Sequence, residues 1–173
     1  MIELNITPEV RESARRRVAR YRSRRGKLPN GGSYNKAVHG FCAESLVNDY
    51  YNCTPAPAET LGYDNTTRGL HWDVKTYSTN STAIEHLGTD LECAVYEYQL
   101  NSNNADAFYF TFYDSDAAKI YLAGAKLRED IIDCADYQPA GSFRGRLPCP
   151  MAAYFLKISQ LDELETLGEN ENA

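Results

Sequence analysis

The stretch AFYFTFY, Ala107 to Tyr113, constrains this chain more than any other. It is apolar at nearly every residue, without the polar alternation of a strand that faces water on one side. That pattern predicts a central strand covered on both faces. The next apolar run, Lys119 to Ala125 (KIYLAGA), follows a short turn at Asp114–Ala117 and reads as its partner strand.

Helices are marked by their caps. Residues 8–25 (PEVRESARRRVARYRSRR) follow Thr7 as N-cap, with Pro8 at the first helical position. Glu9 and Glu12 lie near the start and arginines fill the later turns, which suits the helix dipole. Its apolar stripe (Val10, Ala14, Val18, Tyr21) is thin, so the helix is expected to pack lightly and expose arginine. A second helix is predicted from Tyr34 to Tyr51, with Val38, Phe41, Cys42, Ser45 and Leu46 on one side. Glu44 falls about 60° from Phe41, at the border of that apolar face.

Between them GKLPNGGS is a loop by composition, and NCTPAPAET is a proline-bearing connection. A hairpin follows, in which Leu61–Asp64 leads into the turn-prone NTTRG and Leu70–Tyr77 returns. Leu91–Leu100 reads as strand or helix, and Leu127–Ala135 as a short helix. YQPAGSFRGRLPCP reads as a loop with exposed Arg144 and Arg146; Tyr154–Ile158 reads as a strand and Ser159–Leu167 as a final helix. The expected organisation is a basic helix and loop at 1–33, part of the same domain or an arm, a domain at 34–168 and an acidic tail at 169–173.

Charge is unevenly spread. Residues 1–35 hold nine basic side chains against three acids, so within a net charge of −6 this segment carries +6 and the remainder −12. A block of this kind suits a surface that meets a polyanion. The competing reading is a solvated helix face with a basic bias. No run approaches the ~20 apolar residues that span a bilayer, so no membrane partner is expected. The N-terminus has no secretory apolar core, and a cytoplasmic location is expected. The five cysteines form neither a CxxC pair nor an even-numbered framework and read as reduced.

The chemistry gathers at GLHWDVKTYS, Gly69 to Ser78. Asp73 and Lys75 are two apart on a strand and share a face; a surface ion pair would explain that much. The hairpin brings Asp64 alongside Asp73, and the covering helix can lower Glu44 toward both. Three converging carboxylates repel one another unless a cation neutralises them. Oxygen donors of this kind favour Mg²⁺ or Mn²⁺, and the chemistry that fits is metal-assisted phosphodiester hydrolysis. By alternation His71 shares the face of Asp73 and Lys75 and is a candidate phosphate contact, whereas Thr76 and Ser78 lie on the opposite face and read as structural.

Glu44, then Asp64, then Asp73-Val74-Lys75 resembles the PD-(D/E)XK nuclease superfamily. GFCAESLVNDYY (Gly40–Tyr51), WDVKTYS (Trp72–Ser78) and the stretch Ala105–Ile132 are similar to the corresponding parts of small phage and bacterial members, over roughly residues 35–135. Tyr63 stands where members often have proline, and Asp73 where glutamate is commoner. The resemblance implies an α/β, restriction-endonuclease-like fold, a mixed central β-sheet flanked by α-helices. It also implies a Mg²⁺-dependent DNA endonuclease in which Glu44, Asp64 and Asp73 hold the metal and Lys75 assists the water. DNA is then the expected partner, contacted by Arg15, Arg16, Arg20, Arg24, Lys36, His71, Arg144 and Arg146. A homodimer is left open as the arrangement for cutting both strands. The alternative is a non-catalytic DNA-binding or phage assembly module that retains the nuclease fold.

Overall fold

Strand β6 (Ala107–Asp114) is buried at every position and runs down the middle of a six-stranded sheet. It pairs in parallel with β4 (Leu70–Thr79) and antiparallel with β7 (Lys119–Leu127). Outside β7 lies β1 (Ile2–Asn5); outside β4 lie β3 (Asn65–Thr67) and then β2 (Thr54–Pro55). The central pair is parallel and the other neighbours are antiparallel, so the sheet is mixed. The structure, a computed structural model, describes residues 1–26, 28, 33–57, 60, 62–102 and 104–163.

Both faces of β6 are covered, as its unbroken apolar run demands. On one face α1 (Pro8–Arg25) and α2 (Tyr34–Tyr50) press Ala14, Val18, Val38, Cys42 and Val47 against Trp72, Val74, Tyr109 and Ile120. On the other, Phe108, Phe110 and Phe112 meet a small antiparallel sheet of β5 (Glu92–Tyr96), β11 (Ala153–Lys157) and β8 (Asp136–Gln138). Ala83 and Ile84 of α3 (Ser81–Leu87), Leu100 of α4 (Glu97–Ser102) and Ile131 of α5 (Arg128–Cys134) complete that core. Tyr77 ties the sheets together: its hydroxyl donates to the Ala94 carbonyl and accepts the Ala94 N–H, satisfying a backbone pair on the edge strand β5. The chain is thus mixed α/β, a large mixed sheet flanked by helices.

Several expectations need correcting. The first hairpin strand is Asn65–Thr67 rather than Leu61–Asp64, and the turn is Arg68–Gly69. Both turn residues have positive φ (52° and 77°), the geometry of a two-residue hairpin whose twist matches its strands; Leu61 lies outside the described residues. The stretch read as a loop after α5 contains β8 and the hairpin β9 (Phe143–Arg144) and β10 (Leu147–Pro148). Arg144 is not simply exposed: it lies 4.3 Å over the Phe155 ring and pairs with Glu92 and Asp136, clamping that hairpin to the small sheet. Of the final helix expected at Ser159–Leu167, the described part, up to residue 163, holds only one short turn at Ile158–Gln160; residues 164–173, the tail included, lie outside the described residues. Residues 1–26 are no detached arm, since β1 joins the main sheet and α1 shares its core. No helix among the described residues is long and apolar enough to cross a membrane.

After the short turn, Asp162 forms an antiparallel bridge with Ala125 of β7, with 2.9 Å hydrogen bonds in both directions. The chain passes so close that a Cβ on Gly124 would meet Leu161 Cβ at 2.7 Å and the Asp162 carbonyl at 2.9 Å, and Gly124 has φ +149°. Gly124→Ala is therefore expected to cost about 2 kcal/mol or more, read as a lower midpoint in chemical unfolding; an unchanged midpoint would show that the segment gives way freely.

Candidate active site

The site arises because β3 is short. It pairs with β4 only from Leu70 to Trp72, so beyond Trp72 the outer edge of β4 has no strand beside it among the described residues. Asp64 takes that place. Its N–H donates to the Trp72 carbonyl (2.7 Å), and its Oδ2 accepts the Val74 N–H (2.7 Å). Asp64 thereby straddles Asp73, close to the neighbour that the predicted hairpin assigned to it.

Asp73 and Lys75 project to the face of their register partners Phe108 and Phe110. Lys75 Nζ lies 2.6 Å from Asp73 Oδ2 and 5.6 Å from the centre of the Phe108 ring. Both side chains are nearly out of solvent, at 13% and 12% exposure. An ion pair this dry differs from a surface pair, because removing one partner would leave a buried charge.

Glu44 reaches the same region from α2. Its Oε2 accepts a 2.7 Å hydrogen bond from Arg17 of α1, whose guanidinium stacks 4.1 Å over Phe41. Burial pushes the Glu44 carboxyl up to about 7; Arg17 opposes this and the Asp73 charge adds to it. Asp64 lies well above the usual carboxylate range, first through burial and then through the charges of Glu44 and Asp73, with the Val74 N–H and Lys75 pulling it back. The three predicted acids are therefore within electrostatic reach of one another, and ionising all three is costly.

This donor set suits a hard divalent cation: oxygen only, desolvated and mutually repelling. Among the described residues, no three His, Cys, Asp or Glu side chains are grouped so as to hold a metal ion as they stand. Lys75 and Arg17 are the cations paired with Asp73 and Glu44.

The remaining candidates scatter. His71 shares the predicted face, but its ring packs against Tyr63 (4.3 Å) and lies 3.4 Å from the Asp106 carboxylate, which also accepts its backbone N–H. Arg15, Arg16, Arg20 and Arg24 are exposed on α1. Lys36 is exposed in the first turn of α2, about 12 Å along the axis from Glu44. Arg146 is exposed at the tip of the β9–β10 hairpin, while Arg144 serves the clamp beside it. Arg17 is the site residue that sequence reading passed over. A signal existed, since it sits one turn from both Ala14 and Tyr21 on the stripe facing α2.

A scan against models of known protein families finds no match, and a search of curated proteins finds none either.

With its folded-state pKa raised from 4.5 to about 7, Glu44 holds its proton more tightly in the folded protein than in the unfolded chain. The stability it contributes is complete below pH 4.5 and is lost as pH rises through about 7. In chelator, the stability of wild type relative to Glu44→Gln should thus fall by up to about 3 kcal/mol between pH 5 and pH 8. Denaturant unfolding at the two pH values measures this; parallel losses in both proteins would remove Glu44 as the cause.

Proposed function

We propose that the chain is a Mg²⁺-dependent deoxyribonuclease of restriction-endonuclease-like fold, hydrolysing DNA phosphodiester bonds at the Glu44–Asp64–Asp73–Lys75 cluster. The observation that carries this reading is that two desolvated carboxylates, Glu44 and Asp64, are set within electrostatic reach of the buried Asp73–Lys75 pair at one open sheet edge. Surface decoration gives no reason to desolvate them together.

Glu44, Asp64 and Asp73 would hold the ion. When bound, Mg²⁺ or Mn²⁺ supplies a polarised phosphate oxygen and a water of lowered pKa. Lys75, fixed by Asp73 and walled by Phe108, would offset charge on the scissile phosphate and orient the attacking water. Arg17 favours the carboxylate form of the buried Glu44, against the effect of burial. The Val74 N–H fixes the Asp64 oxygen that it meets. The exposed arginines of α1 would hold backbone phosphates, positioning DNA without reading its sequence. The surrounding −12 would repel DNA elsewhere. Two copies would serve to cut both strands.

A second reading, a non-catalytic DNA-binding or phage assembly module on the same fold, draws on the ion pairs that occupy Asp73 and Glu44. Asp73→Asn and Lys75→Ala separate the two. Each is expected to reduce Mg²⁺-dependent cleavage at least a thousandfold, with duplex, branched and single-stranded DNA assayed in parallel and folding followed by circular dichroism. Full cleavage by both variants would sink the nuclease assignment, and an inactive wild type that still binds DNA would favour the module.

Because α1 is part of the core, its role is tested by charge rather than by deletion. Arg16→Ala with Arg20→Ala should weaken DNA binding about tenfold and reduce the salt slope by about 2. An unchanged slope would mean that these arginines meet something other than phosphate.

A further inference from the structure

Above the open edge of β4, on the face opposite Asp73 and Lys75, lies a cleft of about 250 Å³ lined by Lys36, His39, Thr76, Tyr77 and Ser78. Sequence alternation marked Thr76 and Ser78 as structural, yet both border this space. The exposed polar side chains that line it, Lys36 and Ser78, can each donate a hydrogen bond. Lys36 is an exposed cation in the first turn of α2, a turn that contains no acid. The His39 ring, which also lines the cleft, is held flat against Tyr113 at 3.5 Å with Nδ1 shut off from solvent and unpartnered. The Thr76 hydroxyl is fixed by Thr111 at 3.0 Å, and Ser78 is exposed.

The backbone adds to these donors. Val74 turns its N–H away from β6 to reach Asp64. Along a strand every second residue does the same, so Thr76 and Ser78 present their N–H groups to that edge, each beside its own carbonyl. One cation, an imidazole, two hydroxyls and edge amides suit an anion with several oxygens on one centre.

We propose that this cleft is a phosphate subsite holding a phosphate of the nucleic-acid strand whose scissile bond lies at Lys75. The assignment of the strand rests on the nuclease reading above. Ser78 is about 10 Å along β4 from Lys75, which places the two sites within a few nucleotides of each other on one strand. A strand lying along the open edge would meet both sites, although their side chains leave β4 on opposite faces. Lys36, Thr76 and Ser78 therefore position substrate and take no part in bond cleavage.

Equilibrium binding without metal tests this independently of activity. Fluorescence anisotropy of labelled twelve-nucleotide DNA in chelator, with and without a 5′-phosphate, would compare wild type with Lys36→Ala/Ser78→Ala. Both residues are exposed, so the variant is expected to unfold like wild type. Affinity should fall about tenfold, and inorganic phosphate should compete with DNA on wild type but not on the variant. Equal loss for both oligonucleotides identifies an internal phosphate, whereas loss confined to the phosphorylated one identifies a terminal phosphate. Affinity within twofold of wild type for both, with unchanged phosphate competition, overturns the subsite. Should wild type bind in this way yet fail to cleave with Mg²⁺, the nuclease reading falls and the phosphate subsite stands.

Discussion

The hydrogen bond from the Val74 N–H to the Asp64 carboxylate is the contact on which the site's geometry depends. Where β3 ends, an aspartate side chain continues the ladder in place of a strand. That substitution places a carboxylate beside β4, leaves the following edge open, and lets α2 bring Glu44 in from one face while Asp73 and Lys75 remain on the other. A longer β3 would satisfy the same backbone groups and bury the edge. The site is thus built from an interruption in regular structure.

Electrostatics then sets the terms. Glu44 and Asp64 have been taken out of water and set near Asp73, so each resists ionisation. Arg17 and Lys75 provide compensation inside the chain, one on each side of the sheet edge. A cluster with built-in cations can fold before any ion arrives, and it keeps its carboxylates oriented meanwhile. The same pairs are the contacts that a bound cation would have to loosen.

The sequence made some of this legible. Helix α1 is readable to the residue because Thr7, Pro8 and the arginine-rich end are local signals. AFYFTFY is readable because burial on both faces leaves no room for polar alternation. Asp73 and Lys75 follow from a period of two. The strand β1 is four residues long and owes its place to pairing with residues 119–122, which its own composition does not announce. The small sheet joins segments at 92–96, 136–138 and 153–157, and its stability comes from contacts across that separation. The Arg17–Glu44 pair spans 27 residues and two helices; a helical wheel can nominate it, but only packing decides it.

The bridge between Asp162 and Ala125 has a consequence for how the chain assembles. β1 occupies β7 from Lys119 to Leu122, and Asp162 continues the same side at Ala125, both antiparallel to β7. The outer strand of the large sheet is therefore a composite of two segments about 160 residues apart in sequence, laid head to tail. Closing so long a loop gives little return until most of the chain is in place. That edge is therefore expected to close late in folding, and until it does β7 presents an unpaired margin to any other extended chain.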